Sequence, residues 1–195
     1  MRPINEAYMM KKKLKFYNNI EEALLAKNLI YSSKNMLIKK ILKIKECDED
    51  CIVFFIAEKH NKNLICMSKL KIKKDEEYIT YSNPVLGQVV EWKKRKQYIT
   101  RNTWSTNKTE KLMNLIRDDI QISIEKIDVH FGDYCIRWGI ALDDRIKEVN
   151  IDDRAPSEII ELELDNDIAY LWYYDNWKTD DESLYNLKIS FSERL

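Results

Sequence analysis

Four soft donors, Cys47, Cys51, His60 and Cys66, fall within a span of 20 residues and invite a metal reading. Zinc frameworks repeat short paired spacings such as C-x2-C followed by H-x3-H, because adjacent ligands must reach one tetrahedral ion. Here the spacing is C-x3-C and then H-x5-C, which matches no common framework. Cys51 and Cys66 also sit inside apolar runs, where a free thiol behaves as a small hydrophobe. No metal and no cofactor are expected.

Asp128, His130 and Asp133 form a second cluster, in which a carboxylate could orient the imidazole as a general base, with the Cys135 thiol close by. Aspartates gather in turns for local hydrogen bonding, and a cysteine heading an apolar strand is ordinarily inert, so the turn reading takes precedence. The chain has no G-x-S-x-G, Walker loop, dinucleotide fingerprint or H-E-x-x-H. Its three glycines leave little material for a phosphate-cradling loop. Glu161 and Glu163 share one strand face, but no nearby lysine completes an acidic nuclease arrangement. No catalytic residue is assigned, and the protein is expected not to be an enzyme.

Binding chemistry is better represented. Trp92, Lys93, Lys94, Arg95, Lys96, Tyr98, Arg101 and Trp104 interleave cations with aromatics, as single-strand stacking platforms do. Lys93, Lys94, Arg95, Lys96 and Arg101 are the candidate phosphate contacts. Further on, Tyr170, Trp172, Tyr173, Tyr174, Asp175 and Trp177 precede Asp180, Asp181 and Glu182. Aromatics rimmed by carboxylates suit a basic protein partner, since Trp and Tyr give large contact area at low entropy cost. Tyr173, Tyr174, Asp175, Trp177, Asp180 and Asp181 are the candidate partner-binding set, with at least one of Tyr173, Tyr174 and Trp177 expected to be accessible.

These two stretches sit on opposite sides of a charge divide. Residues 1–100 carry 21 Lys and Arg against 12 Asp and Glu, whereas residues 101–195 carry 12 against 21. A net charge of zero thus conceals halves of about +9 and −9. The composition, 45% apolar and 34% charged, is that of a globular chain rather than a disordered one. The longest uncharged apolar run, Cys51 to Ala57, is far too short for a membrane span of about 20 residues. The first residues, MRPINEAYMMKKKLKFY, contain no signal-peptide pattern, so a cytoplasmic location is expected. Abundant Lys, Asn and Ile are typical of AT-rich coding and suggest a bacterial or phage source.

The elements that must position these groups follow from periodicity. CIVFFIA at Cys51–Ala57 is echoed by CIRWGIA at Cys135–Ala141, both too short and too β-branched for helices. Residues 12–17 alternate as a strand, a capped helix is predicted over 19–31, and 36–46 fits a strand better than a helix. Strands are predicted at 51–58, 64–73, 77–81, 88–92 and 97–101. A second capped helix follows at 107–119, then strands at 120–129 and 134–142, and a strand or extended connection at 145–151. Hairpin strands at 158–164 and 168–174 flank Asp165-Asn166-Asp167, and 185–191 closes the chain as a strand.

The offsets between matching positions are 88 at the helices, 84 at the anchor strands and 80 at Trp92 and Trp172. They change only between elements, as loop deletions would make them, and suggest tandem duplication. The expected fold is α+β, with an extension at 1–9, a basic helix-plus-antiparallel-sheet unit at 10–100 and an acidic one at 101–195. The alternative is a single α+β domain with one large antiparallel sheet. The expected function is a non-catalytic protein-binding module of inhibitor or immunity type that occludes a toxin or defence enzyme. The alternative is nucleic-acid binding by the basic first half.

Overall fold

A computed structural model describes residues 14–26, 34–75, 78–101, 107–126, 129–131, 134–177 and 187–192. The predicted extension 1–9, residues 27–31 of the predicted first helix, Asp128, Asp133, Asp180, Asp181 and Tyr185 lie outside the described residues; the helix itself ends at Leu25, short of the predicted 31, with Ala26 extended as its C-cap. Helices and antiparallel sheets are combined throughout, and the chain divides into two compact units, Met1–Lys94 and Arg95–Leu195. The first holds 19 Lys and Arg against 12 Asp and Glu, the second 14 against 21. Among the described residues no helix is long and apolar enough to cross a membrane.

The first unit is built on β3 (Asp50–Lys59) and β4 (Lys62–Lys74). His60 and Asn61 join them with φ of 52° and 58°, the double left-handed geometry whose twist matches a two-residue hairpin. Strand β2 (Met36–Cys47) pairs with the far side of β3 through two register shifts. The other flank of β4 is shared. Its first half pairs with β6 (Leu86–Glu91), and Ile72–Lys74 pair with β5 (Ile79–Ser82), which carries the short β1 (Phe16–Tyr17) at its edge.

Alternation sends Cys51, Val53, Phe55 and Ala57 to one face, where they pack with Leu64, Cys66, Leu70 and Ile72. Helix α1 (Ile20–Leu25) lays Ala23 and Leu24 on that core. Ile52 and Phe54, on the opposite face of β3, are fully buried as well. This explains why the anchor run is continuous rather than alternating.

In the second unit β8 (Tyr134–Ala141) lies between the short β7 (Val129–Phe131) and β11 (Asp167–Trp177), with β10 (Glu158–Leu164) outermost. β9 (Val149–Ile151) and β12 (Ile189–Phe191) form a separate pair. Helix α3 (Lys108–Lys126) starts at Asn107, whose side chain accepts from the Thr109 N–H, and buries Leu112, Leu115, Ile116 and Ile120 against Ala141, Tyr170, Trp172 and Tyr174. Gly139 permits this approach, since a methyl there would overlap both the Asp119 carboxylate and the Trp172 ring.

Three expectations are corrected. Residues 97–101 are not a strand but the end of helix α2 (Trp92–Arg101), which carries the whole basic run. Nothing between Gln88 and Arg101 breaks a helix, and Trp92, Arg95 and Ile99 recur at helical spacing on its inward side. Residues 120–126 are not a strand either, because α3 runs on to Lys126. The alternation of Ile120, Ile122 and Ile124 coincides with a longer stripe of Ile116, Asp119, Ile120 and Ser123, which is what the core uses. Residues 144–148 form a 3₁₀ turn capped by Asp143 before β9 begins.

The two echoing runs both occupy interior antiparallel strands, but their neighbours differ. β3 pairs with the next strand in sequence, whereas β8 pairs with β11. Trp92 opens a helix while Trp172 lies mid-strand.

Candidate ligand-binding face

The expectation that at least one of Tyr173, Tyr174 and Trp177 is accessible is corrected. Tyr173, Tyr174 and Trp177 are all buried, at most 1% exposed, so none is accessible. Helix α3 covers the face bearing Tyr170, Trp172 and Tyr174, and a register shift after Tyr174 turns Trp177 back to meet the Tyr174 ring edge-on at 5.5 Å. The Tyr174 hydroxyl donates to the Arg154 carbonyl, and the Tyr173 hydroxyl donates to Glu158 at 2.6 Å. Burial and that carboxylate together push the Tyr173 phenol well above its ordinary value. Asp175 is half-buried and accepts from the Ser157 hydroxyl, whose oxygen in turn accepts from the Asp175 N–H.

The basic run does not act as one patch. Lys93 and Arg101 are exposed, Lys94 makes an exposed pair with Glu91 at 3.3 Å, and Lys96 contacts Asp167 at 2.5 Å. Arg95 turns inward. Its Nη2 donates to Asp119 at 2.6 Å and to the Ile140 carbonyl at 2.8 Å, while the Ile140 N–H donates back to the same carboxylate at 3.2 Å. Burial pushes the Asp119 carboxyl up to about 7, opposed by the Arg95 guanidinium. Beside this pair the Tyr98 hydroxyl donates to Asp118 at 2.5 Å.

The soft donors do not converge. Cys51 and His60 stand at opposite ends of β3, and burial raises both the Cys51 and Cys66 thiols to about 12. Among the described residues no group of three or more His, Cys, Asp and Glu is placed to hold a metal.

What the sequence reading missed lies on the sheet of the first unit. Lys71 and Lys73 point away from the core side of β4, which carries Leu70 and Ile72. Register places Thr80 beside Lys73, and Phe16 beside Ser82, so the strand period puts Phe16, Lys71, Lys73, Tyr78 and Thr80 on one face. These residues line a cleft of about 1060 Å³, together with Leu14, Lys74, Val85 and three rim carboxylates, Asp48, Glu49 and Asp75. Its exposed surface is mostly apolar, although half of the residues that line it are charged.

Backbone bonds fix its walls. The Ile72 N–H donates to the Glu49 carbonyl at 2.8 Å, tying the β2–β3 turn to β4, and the Asp75 N–H donates to the Tyr78 carbonyl at 3.0 Å. Lys15 and Asn83 bond reciprocally and hold β1 in place. Ser82 Oγ accepts from the Lys71 N–H at 2.8 Å and donates to the Asn83 carbonyl.

The cations of the cleft differ in how firmly they are held. Lys71 pairs with Asp50 at 2.7 Å and Lys74 with Glu46 at 3.0 Å. Among the described residues the Lys73 ammonium meets only a ring, lying 4.2 Å from the centre of Phe16. Tyr78 is 57% exposed, an unusual exposure for an aromatic at the mouth of an apolar cleft. The signal in the sequence was the run Lys69-Leu70-Lys71-Ile72-Lys73, whose alternation sets lysines opposite core residues, with Tyr78 and Thr80 repeating the parity on the next strand.

Comparison with family models, with curated proteins and with solved structures finds no match to this chain.

Proposed function

We propose that the protein is a binding module that takes single-stranded nucleic acid across the open sheet face of its first unit. The observation that carries this reading is the cleft, in which an exposed aromatic shares one face with a lysine that meets a ring and, among the described residues, no carboxylate. Single strands are held by stacking bases on aromatic side chains while cations track the phosphates, a mode that tolerates any sequence. Tyr78 offers a ring for stacking, and Lys71, Lys73 and Lys74 lie along the neighbouring strand for phosphates. The rim carboxylates repel phosphate but accept hydrogen bonds from exocyclic amines. Splayed cytosine, adenine and guanine carry such amines and uracil and thymine do not, so strands rich in uracil or thymine are the poorer ligands.

Anisotropy of a short labelled oligonucleotide tests this. Binding to oligo(C) should weaken with salt at a log–log slope of about −2, the value for roughly three neutralised phosphates on a single strand. Tyr78→Ala should lower affinity by about 1–3 kcal/mol, and Lys73→Ala should flatten the salt slope by nearly one contact. Undetectable or salt-independent binding removes the reading.

A second reading, protein binding of the inhibitor type, in which the acidic unit occludes a basic partner, is favoured by a separate observation. The four-stranded sheet of the second unit has an acidic edge strand, Glu158–Leu164, next to an exposed Ile168.

A further inference from the structure

Sheet edges expose backbone N–H and C=O groups, and natural proteins blunt them with bulges, lysines, proline or brevity. Among the described residues β6, six residues paired only with β4, keeps an unblunted edge whose one charge, Glu91, is held by Lys62 and Lys94. Three edges follow that rule: β1 has two residues, β7 has three, and β2 carries two register shifts and a lysine at Lys39, Lys40, Lys43 and Lys45. Strand β10 does not. It runs against β11 in unbroken register from Glu158 with Tyr173 to Leu164 with Asp167, contains no proline, and is outermost in its sheet. In an antiparallel ladder alternate residues turn their backbone groups away from the partner strand. Among the described residues no strand takes up those groups along Ile159–Leu164.

The side chains of this edge carry a single sign. Its charged residues are Glu158, Glu161 and Glu163, with Ile159 and Ile160 partly buried between the first two and Ile168 51% exposed across the hairpin. Glu161 and Glu163, two apart, share a face. Glu161 is engaged by Lys147 at 3.0 Å, but both side chains are about half exposed, and such pairs exchange readily. The unit as a whole has seven more acidic than basic residues, 21 against 14.

We propose that β10 is a docking edge at which an extended, basic segment of a partner protein adds as a further strand. Backbone bonds along Ile159–Leu164 supply affinity, and Lys or Arg at alternate positions of the incoming segment, matched to Glu161 and Glu163, supply selectivity. The inference deepens the protein-binding reading and rests on it. It is independent of the cleft in the first unit.

The test uses the full chain and a capped peptide, Thr-Lys-Val-Lys-Val-Lys-Thr, with two controls. One control is N-methylated on alternate residues to remove one edge of donors, and the other has Glu in place of each Lys. Calorimetry measures binding, and hydrogen exchange locates it. The parent peptide should bind and slow exchange within Glu158–Leu164 by about tenfold or more, and neither control should. Joint Glu161→Lys and Glu163→Lys substitution, with far-UV circular dichroism unchanged, should weaken binding by about tenfold or more.

Equal binding by the N-methylated peptide overturns strand addition, leaving attraction between charges alone. Protection on another segment of Arg95–Leu195 also overturns it but leaves the protein-binding reading standing, while no binding of any peptide removes both. Protection of the same amides in the protein alone, rising with its concentration as dimer forms, assigns the edge to a second copy and overturns the partner assignment.

Discussion

The Arg95–Asp119 pair sets the chemistry of the second unit at the level of single residues. Both side chains are at most 9% exposed, and removing the Asp119 side chain leaves the Arg95 guanidinium buried without its partner, at a cost of about 3–5 kcal/mol. Asp119 holds its proton up to about pH 7, whereas an unfolded aspartate releases it near 3.8. Between those values the folded state binds more protons than the unfolded one, so stability falls as pH rises from about 4 to about 7 and levels off above. The slope approaches about 1.4 kcal/mol per pH unit. Urea midpoints measured through this window should fall for the native protein and stay flat for Asp119→Asn. In Arg95→Met the fall should continue above pH 7, because the guanidinium that opposes the burial effect has gone. The same carboxylate leaves no room at Gly139, so Gly139→Ala should lower the unfolding free energy by about 1–3 kcal/mol in the same measurement. None of this was legible in the sequence. The sequence offers Arg95 only as one candidate phosphate contact of a basic run, since it takes the helical turn between Trp92 and Ile99 to reveal that it faces inward.

Elements were recovered where short-range chemistry and hydrophobic period agreed. Asn19 accepts from the Glu21 and Glu22 N–H groups at 2.7 and 3.3 Å, and the helix starts where that cap predicts. Asn19→Ala should therefore cost about 1 kcal/mol in chemical denaturation, and Asn19→Asp much less. The hairpin at Asp165-Asn166 was equally plain, because φ of 50° and 66° demands residues that tolerate the left-handed region. Elements were lost where two periods overlapped. Ile120, Ile122 and Ile124 satisfy a strand alternation, yet the helix already begun at Lys108 meets no glycine or proline and simply continues. The aromatics of β11 failed in another way. Their alternation was read correctly, but a strand pattern cannot say that a helix from earlier in the chain covers one face.

For the whole molecule, the mixed α+β character and the presence of antiparallel hairpins were legible in the alternating runs. The candidate cleft was not, because it needs parity on three strands at once: Phe16 in β1, Lys73 in β4 and Thr80 in β5 share a face only after the registers are known. Aromatic content, prominent in the sequence as a clue to binding, went mostly inward. Trp92, Trp138, Trp172 and Trp177 are each at most 4% exposed. Three of these four indoles lie beyond Lys94, and the remaining one is at the very end of the first unit. Intrinsic fluorescence is accordingly a lopsided reporter. It watches chiefly the second unit, including the Tyr174 and Trp177 neighbourhood, and follows the first through Trp92 alone among the described indoles, whereas circular dichroism detects β2 to β5 through their strands. Should the halves come apart at different temperatures, the optical trace and the dichroic trace would separate, and the gap between their midpoints would measure how independently each half stands.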